Sequence, residues 1–322
     1  MWFVFYLLII NIIAFIVYGV DKSKAKNGKW RISEFTLILL AVLGGALGAG
    51  IGMLVWHHKT RKPKFYITVP VLLVLQIIVI IWGLYQNFHL GVSEYDSDIG
   101  LGRDLRIVQI SDLHNQLFGI GQSSLLSLVR EQNPDIIVVT GDLVDSRETN
   151  YGIALTFIEG AVDIAPVYYI TGNHEVRLYG EKFDAFVADM TSLGVVVLDD
   201  TYVDMGDYIL AGIADISLDD FDAYERFDDS KPVIMLGHEP QYYELYESLG
   251  ADLALSGHYH GGQFIIPGVG GFVSPEFEFF PSLYEGIHRT GDMDLVISRG
   301  LGNSIIPVRI NNYPEVVVVN VS

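Results

Sequence analysis

Two stretches of the sequence decide the fold: LRIVQISDLH at residues 105–114 and DIIVVTGDLVD at residues 135–145. Each begins with a run of Val and Ile that is typical of a buried strand. Each then ends in carboxylate or imidazole side chains, at the edge where open α/β sheets carry their sites. The two stretches therefore predict strands whose ends carry chemistry.

The same arrangement recurs three more times along the chain. Predicted strands at 167–171, 233–236 and 253–255 lead into GNHE at 172–175, GHEP at 237–240 and SGHYHGGQ at 256–263. Further β-rich runs lie at 195–198, 208–212, 295–297 and 316–319, and a helix is predicted between the first two strands. Alternating strands and helices, followed mostly by strands, predict an α/β domain with two packed sheets.

Charge is divided unevenly along the chain. Residues up to Gly91 hold nine basic and two acidic side chains, and the remainder holds 11 basic and 37 acidic ones, so the formal net charges are +7 and −26. This change predicts a boundary, with an apolar anchor at 1–90, a linker at 91–104 and a globular domain at 105–322. The negative field of that domain argues against a long nucleic acid as its partner. The sequence has no cysteine, which excludes disulfides and thiolate chemistry.

Three apolar stretches precede the acidic domain, at 1–20, 32–56 and 65–85. Each has about the 20 residues that a helix needs to cross the hydrocarbon core, and the first lacks the features of a removable signal peptide. They predict a multi-pass anchor of two to three helices in the cell membrane. In the middle stretch, small residues between Leu43 and Gly52 favour close helix packing but also permit a kink or a re-entrant turn.

The loops at 21–31 and 57–64 are both basic. Three full crossings would place them on opposite faces of the membrane, so the preference of basic loops for the cytoplasm could not hold for both. A re-entrant middle segment would place both loops in the cytoplasm and the acidic domain outside. We expect an extracytoplasmic domain, and the charges alone leave both topologies open.

Each strand-end motif taken alone has a structural explanation. Asp112-Leu113-His114 can be a capped turn, and Gly141-Asp142 can begin a helix. Their joint occurrence, in order, at five strand ends favours a metal site instead. The imidazole and carboxylate side chains of these motifs suit Mn, Fe or Zn better than Ca or Mg.

In these motifs the sequence resembles the calcineurin-like metallophosphoesterases, over about residues 105–319. The family's order of Asp-x-His, Gly-Asp-x-x-Asp, Gly-Asn-His-Asp/Glu, Gly-His and Gly-His-x-His is complete, with Tyr259 where many members have Thr. The resemblance implies a four-layer α/β/β/α sandwich with two divalent metal ions. It further implies that a hydroxide activated by the two ions attacks a phosphomonoester or phosphodiester in line with the leaving oxygen.

Residue roles follow from the same resemblance. Seven residues would hold the two metals: Asp112, His114 and His260 the first, Asn173, His238 and His258 the second, with Asp142 bridging both. His174 would stand beside the substrate as a non-ligand that stabilises charge or protonates the leaving oxygen. Its neighbour Glu175 would orient the imidazole or make a structural salt link. Asp145 would support the ligands or cap its loop.

The substrate is less closely defined by the sequence. An aromatic stretch from Phe264 to Tyr284 would either pack on the sheet or form an apolar wall for a lipid or sugar-lipid phosphate. The segment at 298–309 resembles membrane-associated phosphodiesterases and UDP-2,3-diacylglucosamine hydrolase-like enzymes, and its Arg299 and Arg309 would contact phosphate or serve the fold. The anchor favours a lipid-linked or envelope phosphoester.

Two other functions compete with this one. The same metal site serves nucleotide and cyclic-nucleotide phosphodiesterases, whose small substrates the negative charge does not exclude. A non-catalytic metal-binding scaffold is disfavoured, because such a protein would be expected to lack ligands. Residues 20–80 resemble a family of small bacterial membrane proteins of unknown function, which supports a membrane location. The sequence does not predict an oligomeric state.

Overall fold

The computed structural model describes residues 2–215, 225–227, 230–304 and 306–322. The chain forms two units, one of residues 2–85 with 306–308 and one of residues 86–304 with 309–322. The helices of the first unit are α1 (Trp2–Lys26), α2 (Glu34–Leu40), α3 (Ala46–Val55), α4 (Pro63–Tyr66) and α5 (Thr68–Gln86), with a π-helical turn at Ala41–Gly45 between α2 and α3. Each unit is built around its own core.

The segment from α2 to α3 reverses direction instead of continuing as one helix. Along α2 the Leu37 carbonyl accepts a hydrogen bond from Tyr18 Oη at 3.4 Å, and further on the Gly44 carbonyl accepts one from Asn11 Nδ2 at 3.0 Å. The chain therefore runs antiparallel to α1 as far as Gly44. At Gly44 the backbone φ is 106°, a conformation that glycine adopts readily and other residues do not.

After Gly44 the chain returns along the same face of α1. The Gly48 N–H donates to Asn11 Oδ1 at 2.7 Å, and beyond α3 the His58 Nε2 lies 2.7 Å from Asp21 Oδ2. The side chain of Arg31, which precedes α2, also reaches Asp21, at 2.9 Å. The two basic loops thus lie together at one end of the unit, and α2 and α3 form a helical hairpin.

Among the described residues, three stretches are long and apolar enough to cross a membrane: Phe3–Lys26, Glu34–Val55 and Pro63–Gln86. The middle stretch is the hairpin, whose two helices have seven and ten residues. At 1.5 Å per residue they span about 10 and 15 Å, against a hydrocarbon core of about 30 Å. Of the helices in these stretches, α1 with 25 residues and α5 with 19 residues are continuous over about that thickness.

The second unit contains two six-stranded sheets. The strands are β1 (Gly91–Ser97), β2 (Leu105–Ile110), β3 (Ile136–Thr140), β4 (Val167–Ile170), β5 (Val196–Val197), β6 (Thr201–Asp204), β7 (Ile209–Ile213), β8 (Val233–Gly237), β9 (Leu253–Ser256), β10 (Ile265–Ile266), β11 (Gly270–Gly271), β12 (Gly286–Thr290), β13 (Met293–Ile297) and β14 (Glu315–Val321). The sheet orders are β1-β14-β2-β3-β4-β5 and β12-β13-β9-β8-β7-β6, and β10 pairs with β11. Strands β2 to β5 are parallel, as are β7, β8, β9 and β13.

Helices cover the outer face of each sheet. They are α6 (Ser123–Glu131), α7 (Tyr151–Val162) and α9 (Glu181–Ser192) on the first sheet and α10 (Tyr243–Ser248) on the second, whereas the short helix α8 (Asn173–Val176) follows β4 in the chain. Val108 of β2 packs toward the helices of the first sheet, whereas its neighbour Ile107 packs with Leu236 between the sheets. On the far side Met235 packs with Tyr246 of α10. Three apolar layers between four structural layers confirm the predicted α/β/β/α sandwich.

One boundary differs from the sequence prediction. Of the linker expected at 91–104, residues Gly91–Ser97 form β1, an edge strand parallel to β14. Its burial alternates between half-buried and exposed along most of its length. An edge strand with one exposed face can have the polar composition of GVSEYDS. Because of this composition, β1 was not predicted from the sequence.

Candidate metal centre

The seven predicted ligands follow strands of both sheets, and six of them, all except Asn173, lie in close groups. Asp112 and His114 follow β2, Asp142 follows β3, Asn173 begins α8 directly after β4, His238 follows β8, and His258 and His260 follow β9. Six of them are buried, with exposed fractions of 6% or less, and Asn173 is partly buried. The carboxyl ends of parallel strands share one edge of a sheet, which explains how residues almost 150 positions apart come into contact.

The first group consists of Asp112, His114 and His260. Nε2 of His114 lies 3.2 Å from Nε2 of His260, and Oδ1 of Asp112 lies 3.8 and 3.5 Å from these two nitrogens. Ligand atoms about 2.1 Å from a tetrahedral ion are about 3.4 Å apart. The three side chains therefore fit a shared cation.

The second group consists of Asp142, His238 and His258. Nε2 of His238 lies 3.2 Å from Nδ1 of His258 and 3.4 Å from Oδ2 of Asp142. Among the described residues, Oδ1 of Asn173 is buried without a hydrogen-bond partner. A buried polar atom is rarely left unpaired, and coordination of a cation would satisfy this one.

Asp142 belongs to both groups. Its Oδ2 lies 3.4 Å from Nε2 of His114 and 3.4 Å from Nε2 of His238, while its Oδ1 accepts the His174 backbone N–H at 2.8 Å. The hydrogen bond from the His174 N–H fixes the orientation of the carboxylate. One oxygen is thus left facing both histidine groups, as a bridging ligand requires.

Hydrogen bonds on the far side of two imidazoles select their tautomers. Nδ1 of His238 donates to the Thr140 carbonyl at 2.7 Å, which leaves Nε2 free to act as a ligand. In His258 the roles are reversed, because Nε2 lies 2.5 Å from Oε1 of Glu276 and Nδ1 faces the site. Glu276 was not predicted from the sequence, since it lies 18 residues beyond His258 and belongs to no recognisable motif.

Glu175 has a different role from either of those predicted. Its carboxylate accepts the backbone N–H groups of Asp142 at 2.9 Å, Val144 at 3.2 Å and Gly172 at 2.9 Å. It therefore neither orients the imidazole of His174 nor makes a salt link. Because the side chain is fully buried, it holds the turns after β3 and β4 together and so positions Asp142.

His174 lies at the side of the site. Its Nδ1 accepts the Ser146 backbone N–H at 3.0 Å, and its Nε2 lies 3.4 Å from Ser304 Oγ. The His174 ring is edge-on to His114, with 4.6 Å between ring centroids. The nitrogens of His174 and His114 and an Asp142 oxygen are also close enough to form a third candidate metal group.

Asp145 caps its loop and lies beside two histidines of the site. Its carboxylate accepts the Arg147 N–H at 2.8 Å and a guanidinium hydrogen bond at 2.7 Å, which caps the loop. It also lies 3.6 Å from Nδ1 of His174 and 3.8 Å from Nδ1 of His114. Arg147 in turn donates to Ser304 Oγ at 2.7 Å, so a hydrogen-bonded chain borders the His174 side of the site.

The charges of the buried side chains favour a cation at the strand ends of the two sheets. Burial raises the pKa of Asp142, but the neighbouring imidazoles, above all His238, lower it by more, so the net pKa lies well below the usual value. For His238, burial lowers the pKa and the Asp142 carboxylate more than reverses this, giving a pKa well above the usual value. Asp142 thus remains anionic beside a positive charge, and a divalent cation would supply such a charge.

Five of the seven candidate ligands have a left-handed backbone. The φ angles are 52° at Asp112, 44° at His114, 54° at Asp142, 66° at His258 and 47° at His260. Such angles are uncommon for residues other than glycine and cluster at functional sites. The strained turns direct all five side chains into the same space.

Asp215, two residues after the end of β7, is a further acidic residue near the site. Its Oδ1 is buried without a hydrogen-bond partner among the described residues. Burial raises the pKa of Asp215 to about 7, with opposing effects of His238 and Glu239. It was not predicted from the sequence, because no histidine or second carboxylate follows it at the spacing of the other motifs.

The two arginines considered as phosphate contacts are structural. Arg309 is fully buried and donates to the carbonyls of Arg299 and Gly302. Arg299 pairs with Glu315 at 2.5 Å and with Glu285 at 3.3 Å. Both guanidinium groups are therefore engaged within the protein.

The aromatic stretch after His260 is only partly buried. Phe277, Phe279 and Phe280 are 73%, 62% and 51% exposed, so the interpretation as sheet packing is wrong for them. Phe277 and Phe280 also have φ angles of 64° and 58°, which bulky residues seldom adopt. This aromatic loop is joined to the candidate site through the Glu276 contact with His258.

Comparisons with known proteins agree with this geometry. The calcineurin-like phosphoesterase family matches residues 105–262, and a family described as a protein of unknown function, DUF1294, matches residues 11–65. The uncharacterized metallophosphoesterase YkuE of Bacillus subtilis is 30% identical over 227 residues, which cover 66% of this chain and 77% of YkuE. The phosphodiesterase YaeI of Escherichia coli is 27% identical over 218 residues, which cover 66% of this chain and 80% of YaeI.

The N-terminal part has its own relative. The uncharacterized protein YsdA of Bacillus subtilis is 49% identical over 75 residues, which cover 23% of this chain and 84% of YsdA. The two parts of the chain thus match different families. The chain belongs to the calcineurin-like metallophosphoesterases, which are metal-dependent hydrolases of phosphoric esters.

Proposed function

We propose that this protein is a membrane-anchored hydrolase that cleaves a phosphodiester or phosphomonoester with two divalent cations of the Mn, Fe or Zn type. The position of Asp142 carries the proposal, because its Oδ2 lies 3.4 Å from a histidine of each ligand group. Asp112, His114 and His260 would hold one cation, Asn173, His238 and His258 the other, and Asp142 both. When bound, the cations would lower the pKa of a water molecule and offset charge on the phosphate.

His174 is placed to move a proton at the leaving oxygen. Since its Nδ1 accepts the Ser146 N–H, the proton of the neutral ring lies on Nε2. Burial lowers the pKa of His174, although Asp145 and Asp142 partly oppose this, so the neutral form is favoured. The proton on Nε2 is the one that a departing alkoxide would receive.

Two substitutions separate a metal ligand from a proton donor. We expect Asp142→Asn to lose both bound metal and hydrolysis of bis-p-nitrophenyl phosphate with Mn²⁺. His174→Asn should retain its metal and turn over about 10²–10⁴-fold more slowly. Asp189→Asn, exposed on α9, is the matched control. Undiminished hydrolysis by Asp142→Asn would refute the proposal, and metal loss from His174→Asn would reassign that residue as a ligand.

A lipid-linked phosphoester is the substrate class that the aromatic loop supports. Three exposed phenylalanines lie on the same loop as Glu276, which contacts the candidate ligand His258. An apolar surface rimmed by polar residues is typical of a site for an apolar partner. The name of the relative YaeI favours a diester.

Nucleotides and cyclic nucleotides are the competing substrates, and a metal-binding scaffold without activity is the competing function. Hydrolysis of bis-p-nitrophenyl phosphate would eliminate the scaffold. Lipid extracts assayed beside linear and cyclic nucleotides would then identify the substrate class. A preference for a nucleotide would exclude the lipid.

The hairpin supports an extracytoplasmic catalytic unit. With α2 and α3 re-entrant, the chain crosses the membrane twice, through α1 and α5. Both basic loops then lie on one face, which the charge preference of loops assigns to the cytoplasm. The chain leaves α5 at the opposite face and continues into the catalytic unit, which is therefore expected outside.

A further inference from the structure

A cleft of about 790 Å³ opens at the loop end of the N-terminal unit. The end of α1 and the loop that follows it line one side of the cleft. The turn that precedes α4 lines the other side. Six of its ten lining residues carry a positive charge: Lys22, Lys26, Arg31, Lys59, Arg61 and Lys62. Two more are histidines, and none of the residues described as lining it is acidic.

Two carboxylates behind the cleft neutralise part of this charge. Asp21 binds Arg31 at 2.9 Å, and Glu34 binds Lys59 at 2.9 Å and Lys62 at 2.7 Å. The six cations and two carboxylates leave a formal charge of +4. The cations that pair with these carboxylates are held in place, since Asp21 is fully buried.

Three cations of the cleft have no carboxylate partner among the described residues. Lys22 donates to the His57 carbonyl at 3.0 Å, whereas Lys26 and Arg61 are exposed side chains. Like charges held this close repel one another. An anion in the cleft would relieve the repulsion and could accept hydrogen bonds from both Lys26 and Arg61.

The position of the cleft indicates the kind of anion. Lys26 is the last residue of α1, and Lys62 directly precedes Pro63, where the third apolar stretch begins. Trp30, in the loop after α1, and Trp56, directly after α3, are 93% and 40% exposed. Tryptophan and basic residues together are characteristic of the membrane–water interface, where the anions are phosphate headgroups.

We propose that this cationic cleft binds the phosphate group of an anionic ligand, from a lipid headgroup or from free phosphate. The ligand would contact Lys26 and Arg61 directly, and the Asp21 and Glu34 pairs would hold the surrounding cations in place. The cleft lies in the N-terminal unit, so its occupation does not depend on the metal centre or on the proposed hydrolysis.

The test measures ligand binding to the full chain in neutral detergent. Native mass spectrometry would follow phosphatidylglycerol and phosphatidylcholine, and calorimetry would follow inorganic phosphate. Lys26→Ser with Arg61→Ser removes the two exposed cations of the cleft that have no carboxylate partner among the described residues. Lys29→Ser with Lys64→Ser removes two neighbouring positive charges that do not line it, and so controls for general electrostatics.

We expect saturable binding that weakens at least about tenfold in the Lys26 and Arg61 variant, since each charge-assisted hydrogen bond contributes about tenfold. The control variant should bind as the parent does, and both should hydrolyse bis-p-nitrophenyl phosphate at the parent rate. Preference for phosphatidylglycerol over inorganic phosphate would identify a lipid headgroup, and equal binding would identify free phosphate. The absence of binding to any of the three, or equal losses in the two double variants, would overturn the proposal.

Discussion

Nε2 of His58 lies 2.7 Å from Oδ2 of Asp21, and this contact joins the two basic loops of the N-terminal unit. The two residues are 37 positions apart, and an apolar stretch long enough to cross a membrane lies between them. A straight crossing would hold the loops at opposite ends of the helices. The contact therefore requires the chain to turn back at Gly44.

Cysteine labelling can test this topology, because the sequence contains no cysteine of its own. Ser23→Cys and Thr60→Cys, one in each basic loop, should resist a membrane-impermeant maleimide in intact cells and react after permeabilisation. Ser192→Cys, at the end of α9, should react in intact cells. Labelling of only one loop position would contradict the hairpin. Labelling of both loops, with Ser192→Cys protected, would reverse the sidedness and leave the hairpin intact.

Glu175→Gln should weaken metal binding although the residue is not a candidate ligand. The carboxylate accepts three backbone N–H groups, and the single oxygen of a glutamine cannot replace both of its oxygens. Since the turn that carries Asp142 loses support, we expect metal affinity to fall about 10–100-fold, as measured by competition with a chelator. Glu181→Gln, exposed on α9, should bind metal as the parent does, and an unchanged affinity in Glu175→Gln would contradict the positioning role.

Asp199→Asn should stabilise the protein at neutral pH. Burial raises the pKa of Asp199 to about 6, above the value of about 3.9 in an unfolded chain. The unfolded state therefore loses this proton first as the pH rises, so the destabilisation appears above about pH 4 and is complete above about pH 6. An asparagine oxygen can still accept the Thr171 N–H.

Thermal unfolding in detergent at pH 4 and pH 7 would measure this effect. We expect a gain of about 2 kcal/mol at pH 7, somewhat less than two pKa units imply, and little change at pH 4. Asp189→Asn is the exposed control on α9. Equal stabilisation at both pH values would show that ionisation of Asp199 is not the cause.

The aromatic loop should matter for lipid-dispersed substrates only. Replacing Phe277, Phe279 and Phe280 by Ser removes exposed apolar surface without touching a candidate ligand. We expect hydrolysis of a phosphodiester lipid in vesicles to fall about tenfold, since burial of one such side chain contributes about 1.5–3 kcal/mol, with hydrolysis of bis-p-nitrophenyl phosphate unchanged. Tyr202→Ser, an exposed aromatic residue on β6, is the control. Equal loss on both substrates would indicate a damaged site instead.

The sequence was sufficient to predict the catalytic fold and to locate the candidate ligands. Strands such as β2 and β3 are short buried runs of branched residues, and their ligands follow within four positions. In these strands the local sequence pattern also indicates where in the fold the candidate ligands lie. The contribution of Glu276 was not visible, because its contact with His258 depends on how an irregular loop folds back.

The hairpin shows a different limit. Its sequence has the length and hydropathy of a crossing helix, and glycine in such a segment fits either tight packing or a turn. What distinguishes the two is the φ of one residue, Gly44, and the contacts of Asn11 with both arms. The edge strand β1 was missed for a similar reason, since pairing with the distant β14, and not its own composition, makes it a strand.

The left-handed backbone at five candidate ligands lowers the stability of the fold at the positions whose side chains the proposed catalysis requires. Each such residue costs about 1–2 kcal/mol relative to a relaxed conformation, and five together approach the whole stability of an ordinary domain, about 5–15 kcal/mol. Glycine at any of these positions would relieve the strain and remove a ligand. Natural selection for hydrolysis must therefore maintain residues that selection for thermal robustness alone would replace, and the stabilised glycine variants would be inactive.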